Sequence, residues 1–166
     1  MINRNGFTLA EMVAVIAILM LLALVSTPFV KSYIDDSYYG KAKVFLRQLN
    51  EARMNFEKDY PGLIIAGTLE ELGEGASTCQ IENLYGASQE VSPSELVRCH
   101  YVKYPTDLNG RYTFSVKKNS FTSHCTSAPG SAVVAMEGAD TSSKYYQECT
   151  TIDNVGRVYH GDTQEE

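Results

Sequence analysis

The chain has 166 residues, a length that suits one domain plus an appended segment. It carries 14 basic and 20 acidic side chains, a formal net charge of −6, which argues against nucleic acid or an anionic lipid surface as an obligatory partner. Four cysteines, an even number, stand far apart at 79, 99, 125 and 149, which in an exported chain reads as two disulfides.

The N-terminal stretch is the most informative. Gly6-Phe7-Thr8-Leu9-Ala10-Glu11 leads into Met12 to Val25, fourteen residues without one charge or hydrogen-bonding side chain. An unpaired carboxylate is costly in lipid, so an acid kept at the edge of such a run implies a use for it, most economically a partner charge from another copy. Phe7 to Val30 is 24 residues, or about 36 Å of helix, enough to cross a bilayer. Arg4 stays on the cytoplasmic side by the positive-inside rule, and the bulk of the chain is exported. An ordinary secretory signal fits less well, because Leu24-Val25-Ser26-Thr27-Pro28 is a poor small-x-small cleavage site and such a signal has no use for Glu11. A plain one-pass anchor has none either.

These residues closely resemble the class III signal of type IV prepilins, found in pilins and in the pseudopilins of type II secretion. The resemblance is sharp over roughly the first thirty residues and architectural beyond them. It implies cleavage by the prepilin peptidase between Gly6 and Phe7, N-methylation of Phe7, and a role for Glu11, fifth in the mature chain, in recruiting each subunit into a filament. Pro28 falls where many pilins carry a helix-breaking proline. Ala10 and Met20 depart from the pattern, where a bulkier apolar residue and a glycine are usual. Removing the leader 1–6 takes Arg4 with it and leaves 13 basic against 20 acidic side chains, a net charge of −7.

Beyond Pro28, apolar residues recur at Val30, Ile34, Tyr38, Ala42, Phe45, Leu49, Ala52 and Phe56. Their three- and four-residue spacings put them on one helical face, with Lys31, Asp35, Lys43, Arg47, Glu51 and Lys58 mostly on the others. No strong i,i+4 ladder of charges is evident. Tyr60-Pro61-Gly62 stops the helix. From Phe7 to Asp59 is 53 residues, about 80 Å if unbroken. The segments are therefore a leader (1–6), a membrane-spanning or filament-core helix (7–30), an amphipathic continuation (31–60) and a globular head (61–166).

In the head, Thr68-Leu69-Glu70-Glu71 reads as a capping box opening a helical turn through Leu72, and Ser92-Pro93-Ser94-Glu95 as a stronger one opening a helix that ends near Cys99. Asn109-Gly110 is a turn, after which Arg111 to Val116 alternates as a strand. Lys117-Lys118-Asn119 is a second turn before a strand from Ser120 to Cys125, and Ala128-Pro129-Gly130 breaks the chain. Strands are expected at Ala132–Met136, Lys144–Thr151 and Val155–His160, with a frayed polar tail from Gly161 to Glu166. The fold class is α+β: a long N-terminal helix packed on a small antiparallel sheet.

Catalytic motifs are absent: there is no G-x-S-x-G elbow, P-loop, H-E-x-x-H or C-x-x-C. Cys99-His100 and His124-Cys125 are awkward as a zinc tetrad, since exported cysteines oxidise and adjacent ligands fit poorly. Some major pseudopilins bind calcium in a C-terminal loop. Glu137, Asp140 and Asp153 offer oxygen ligands without a spaced motif, so solvated turns are the simpler reading. Lys117-Lys118 is read as a soluble turn rather than a contact for DNA, and the eleven tyrosines as sheet packing. No cofactor or metal is expected. The four cysteines allow three pairings. Local pairing, Cys79–Cys99 and Cys125–Cys149, would enclose 19 and 23 residues and is the favoured one, and the second loop resembles the C-terminal disulfide loop of many pilins.

The expected role is a non-enzymatic structural subunit of a type IV pilus-like filament. Its expected partners are other pilin subunits, the prepilin peptidase, an assembly platform and, before assembly, the cytoplasmic membrane. The alternatives are a type II secretion pseudopilin and, from a different class, a membrane-anchored exported enzyme or binding domain. A methylated Phe7 would support the pilin class; an intact anchor, or a cut beyond Val25, would support the last.

Overall fold

The computed structural model describes residues 8–70, 78–79, 81, 89–116, 125, 132–160 and 163–164. The chain divides into two compact units, Met1–Ser37 and Tyr38–Glu166. Helix α1 (Leu9–Asp59) supplies nearly all of the described first unit and continues into the second.

In the first unit the helix runs through Pro28 instead of breaking there. Proline removes the N–H that the Leu24 carbonyl would accept. In the same stretch the hydroxyls of Ser26 and Thr27 donate to the carbonyls of Leu22 and Ala23, the latter at 2.8 Å. These bonds satisfy the hydroxyls locally, as an apolar surround requires. Val30 and Ile34, two members of the expected stripe, are exposed, and Asp35 is buried rather than turned outward.

In the second unit, the head, α1 ends at Asp59 ahead of Pro61, as its breaker sequence implies, and the Tyr101 hydroxyl donates to Asp59 at 2.7 Å. Ala42, Phe45, Leu49, Ala52 and Phe56 of the stripe are buried, joined by Leu46. They pack into the core formed with a six-stranded sheet of order β2-β4-β5-β6-β7-β8. Its strands are β2 (Gly67–Leu69), β4 (Tyr112–Val116), β5 (Ala132–Gly138), β6 (Cys149–Asp153), β7 (Val158–His160) and β8 (Thr163–Gln164), every pair antiparallel. A separate parallel pair joins β1 (Leu63–Ile65) to β3 (Gln89–Val91), which the sequence did not suggest.

Register explains the core. One cross-strand row runs Val116, Val134, Ile152, Val158, and all four are buried. The next runs Phe114, Met136, Thr150, His160, apolar at one end and polar at the other. Phe45 of α1 meets Phe114 edge to face, with ring centroids 4.8 Å apart.

Several expected boundaries move. Thr68-Leu69-Glu70 does not open a helix: Gly67–Leu69 is β2, because pairing with β4 takes its backbone, and Leu72 lies outside the described residues. Ser92-Pro93 does precede a short helix, α2 (Ser94–Arg98). There the Ser92 hydroxyl accepts from Ser94 N–H at 3.3 Å, and Glu95 pairs with Arg98. A 3-10 turn at Thr106–Leu108 was not foreseen. β5 extends to Gly138, and β6 begins at Cys149 rather than Lys144. The intervening chain folds back, with Gly138 N–H donating to Glu148 O at 3.1 Å and Gln147 N–H to Gly138 O at 2.8 Å. Gly138 is required there, since a methyl group in its place would collide with the Tyr145 carbonyl. β7 starts at Val158, after a turn, and Thr163–Gln164 of the supposedly frayed tail pairs with it. The second turn at Lys117-Lys118-Asn119, the break at Ala128-Pro129-Gly130 and the strand expected before Cys125 lie outside the described residues.

Candidate functional site

Glu11 is the only ionisable side chain between Thr8 and Val30. It sits in the first turn of α1, and Thr8 holds it: Thr8 N–H donates to Glu11 Oε2 at 2.8 Å and Thr8 Oγ1–H to the same oxygen at 2.9 Å. In return Glu11 N–H donates to Thr8 Oγ1 at 3.3 Å. This is a reciprocal capping box, Thr8-Leu9-Ala10-Glu11. The S/T-x-x-E signature was in the sequence and sequence reasoning passed over it, having treated Glu11 as wholly unpartnered. Thr8 nevertheless gives two neutral donors and no positive charge, so the net charge of Glu11 stays.

Around this turn the apolar side chains are uncovered. From Leu9 to Val30 the large ones are between 48% (Val15) and 83% (Leu9) exposed. The helix is long and apolar enough to cross a membrane. An apolar surface of this size demands lipid or other apolar helices. Gly6 and Phe7, the expected cleavage and methylation site, lie outside the described residues.

In the head the four cysteines form two disulfides, Cys79–Cys99 and Cys125–Cys149, with Cα atoms 4.8 Å and 5.4 Å apart. The first ties the chain beyond α2 to the segment before β3; the second closes onto the start of β6. Cys99 and Cys125 are thereby committed to disulfides rather than available as thiolate ligands, His124 lies outside the described residues, and no group of three or more potential metal ligands occurs among those described.

The three acids weighed as calcium ligands are dispersed. Glu137 is on β5, and Asp140 bonds Arg111 Nη1 at 3.3 Å and the Ser142 hydroxyl at 2.8 Å. Asp153 is not on a solvated turn but 1% exposed. It accepts from Val155 N–H and Arg157 N–H at 2.9 Å, Arg157 Nε at 2.7 Å and the Tyr159 hydroxyl at 3.2 Å. Burial pushes this carboxyl upward, but the bonds from Arg157 and Val155 outweigh it and hold it below the ordinary carboxylate value.

Beside the Tyr101 and Tyr159 bonds, one tyrosine pair ties the sheet to the helix. Tyr39 of α1 stacks on Tyr145, with centroids 4.2 Å apart. Its hydroxyl lies 2.8 Å from Thr150 Oγ1 and 3.2 Å from His160 Nδ1, while His160 Nε2 meets Glu148. The polar end of the Phe114 row is thus pinned to the helix. Arg53, buried on α1, reaches Glu57 at 2.8 Å and Asn154 at 2.8 Å. The Arg53–Glu57 pair is an i,i+4 contact that the sequence reading did not count.

A family model for the prokaryotic N-terminal methylation motif matches residues 1–27. The chain carries a class III prepilin signal. This motif is typical of type IV pilins and pseudopilins, which are generally structural subunits, and the α+β head with a long N-terminal helix has the architecture that goes with it. No curated protein and no solved structure matches the chain significantly.

Proposed function

We propose that the chain is a structural subunit of a type IV pilus-like filament. The observation that carries this is the prepilin signal over residues 1–27, running into a helix whose apolar surface from Leu9 to Val30 is bare and whose only acid in that stretch, Glu11, stands in the first turn. In this reading the prepilin sits in the cytoplasmic membrane with its head on the exported side. The prepilin peptidase removes residues 1–6, Phe7 is N-methylated, and an assembly platform transfers the subunit from lipid into a helical bundle. Glu11 then pairs with the Phe7 amine of a neighbour. Burying such a pair need not be net stabilising; its value lies in setting the axial step and in penalising a subunit docked out of register. The Thr8 bonds keep the carboxylate satisfied until that amine arrives.

Two disulfides and a cysteine-closed loop near the C-terminus favour a pilus over a type II pseudopilus. Processing is the first test. The peptidase needs a small residue at the cut, where glycine leaves the backbone open to close approach. Gly6→Val should keep the leader attached and abolish assembly, read by mass spectrometry of the membrane fraction. Normal leader removal in that variant would contradict the reading, and an intact anchor in the unmodified chain would favour a membrane-anchored exported domain.

A further inference from the structure

The polarity of α1 changes within two turns. Val30 is apolar, Lys31 is charged, and Asp35 and Asp36 follow. Phe29 and Tyr33 stand in this step at i and i+4, hence on one face, and are 73% and 77% exposed. A hydrocarbon core of about 30 Å takes about twenty residues of helix. Counted from Phe7 it ends near Ser26, which puts the Tyr33 backbone about 10 Å beyond it. Counted from Glu11, with the acid held at the inner boundary, it ends near Val30 and Tyr33 is about 4–5 Å beyond. A headgroup layer is only about 5–7 Å thick on each side. Side chains on an α-helix lean toward its N-terminus, here back toward the membrane, so both placements bring the Tyr33 ring into that layer. A tyrosine, with an apolar ring and a polar tip, suits this zone, and the Phe29 ring one turn earlier suits its acyl side.

We propose that Phe29 and Tyr33 form an interfacial anchor that docks on the phospholipid headgroup–acyl boundary at the exported face and fixes the depth of the unassembled subunit. The anchor rests on the membrane-spanning reading above. Its consequence lies at the other end of the helix. Glu11 is 22 residues from Tyr33, about 33 Å along the axis, so an anchored Tyr33 keeps the acid from being drawn toward the bilayer centre.

The chain has no tryptophan, so Tyr33→Trp installs a single fluorescent reporter, and Leu19→Trp a comparator in mid-segment. Each full-length variant is placed in phosphatidylcholine vesicles brominated either near the glycerol end of the acyl chains or near their tips. Shallow bromines should quench the position 33 reporter at least about twofold more than deep ones, and the position 19 reporter should show the reverse. Equal or stronger quenching of position 33 by deep bromines, or no quenching by either, overturns the anchor. If position 19 is quenched by deep bromines in that case, the membrane-spanning reading survives and the anchor alone fails. If position 19 is not quenched either, both fail.

Discussion

Glu11 in the first unit and Asp153 in the head are both carboxylates among apolar neighbours, and the chain provides for them differently. Asp153 is enclosed by its own hairpin, which supplies two backbone N–H groups, a tyrosine hydroxyl and the countercharge of Arg157. Glu11 receives two bonds from one neutral residue, Thr8, on one oxygen. The same contrast holds for apolar surface. Phe45, Leu49 and Phe56 are buried in the head, whereas the large side chains from Leu9 to Val30 are about half exposed or more. The head completes much of its own packing and electrostatics; among the described residues, the first unit leaves its apolar surface bare and gives Glu11 no countercharge. A head mutation should therefore register as lost stability, and a mutation at Glu11 as lost association.

The largest effect expected in the head is from Phe114→Ala, which empties the site beneath Phe45. About 3–5 kcal/mol of head stability should be lost in denaturant unfolding, with membrane extraction of the chain unchanged. A parallel loss of membrane association would show that the two regions are not energetically separate.

Asp153→Ala should cost less, about 3 kcal/mol, because it strips the turn of its acceptor and leaves Arg157 without a countercharge. This carboxyl is held below its ordinary value when folded, so its contribution is present above the unfolded pKa, about 3.9, and is lost as pH falls below it. The variant should accordingly show a flatter loss of stability as pH falls below about 4 than the unmodified chain. An unchanged acid limb would place that proton uptake elsewhere.

Tyr39→Phe should have the smallest effect in the head, about 1 kcal/mol, since it deletes the hydroxyl near Thr150 and His160 but keeps the ring stacked on Tyr145. Thermal melts of the two proteins side by side would measure it, and identical melting temperatures would mean the hydroxyl is equally well served by water.

The elements legible in the sequence were those fixed by local chemistry. The apolar run, the stop at Pro61, the Asn109-Gly110 turn and the alternation of Tyr112 to Val116 each depend on neighbours in the chain. β6 was misplaced because Lys144 to Gln147 is strand-like in composition, yet the return of Gln147 N–H to Gly138 O commits it to the turn. The parallel β1–β3 pair joins two three-residue strands across a long intervening segment, and neither strand carries a pattern that names its partner. Thr150 could not be read as a core residue, because the partner of its hydroxyl is a tyrosine 111 positions away. Two misses were legible: the Thr8-Glu11 capping box and the Asp153 turn, where an acid precedes its arginine by four residues. Both were hidden by treating those acids as isolated charges.

Glu11→Leu tests the contrast most directly. It removes the one charge in the apolar segment, so head stability, membrane insertion and cleavage should stay at the level of the unmodified chain. Filaments sheared from the cell surface, measured against the membrane pool at equal expression, should fall sharply. Full filament yield from Glu11→Leu would show that the charge is not an assembly determinant and would contradict the account.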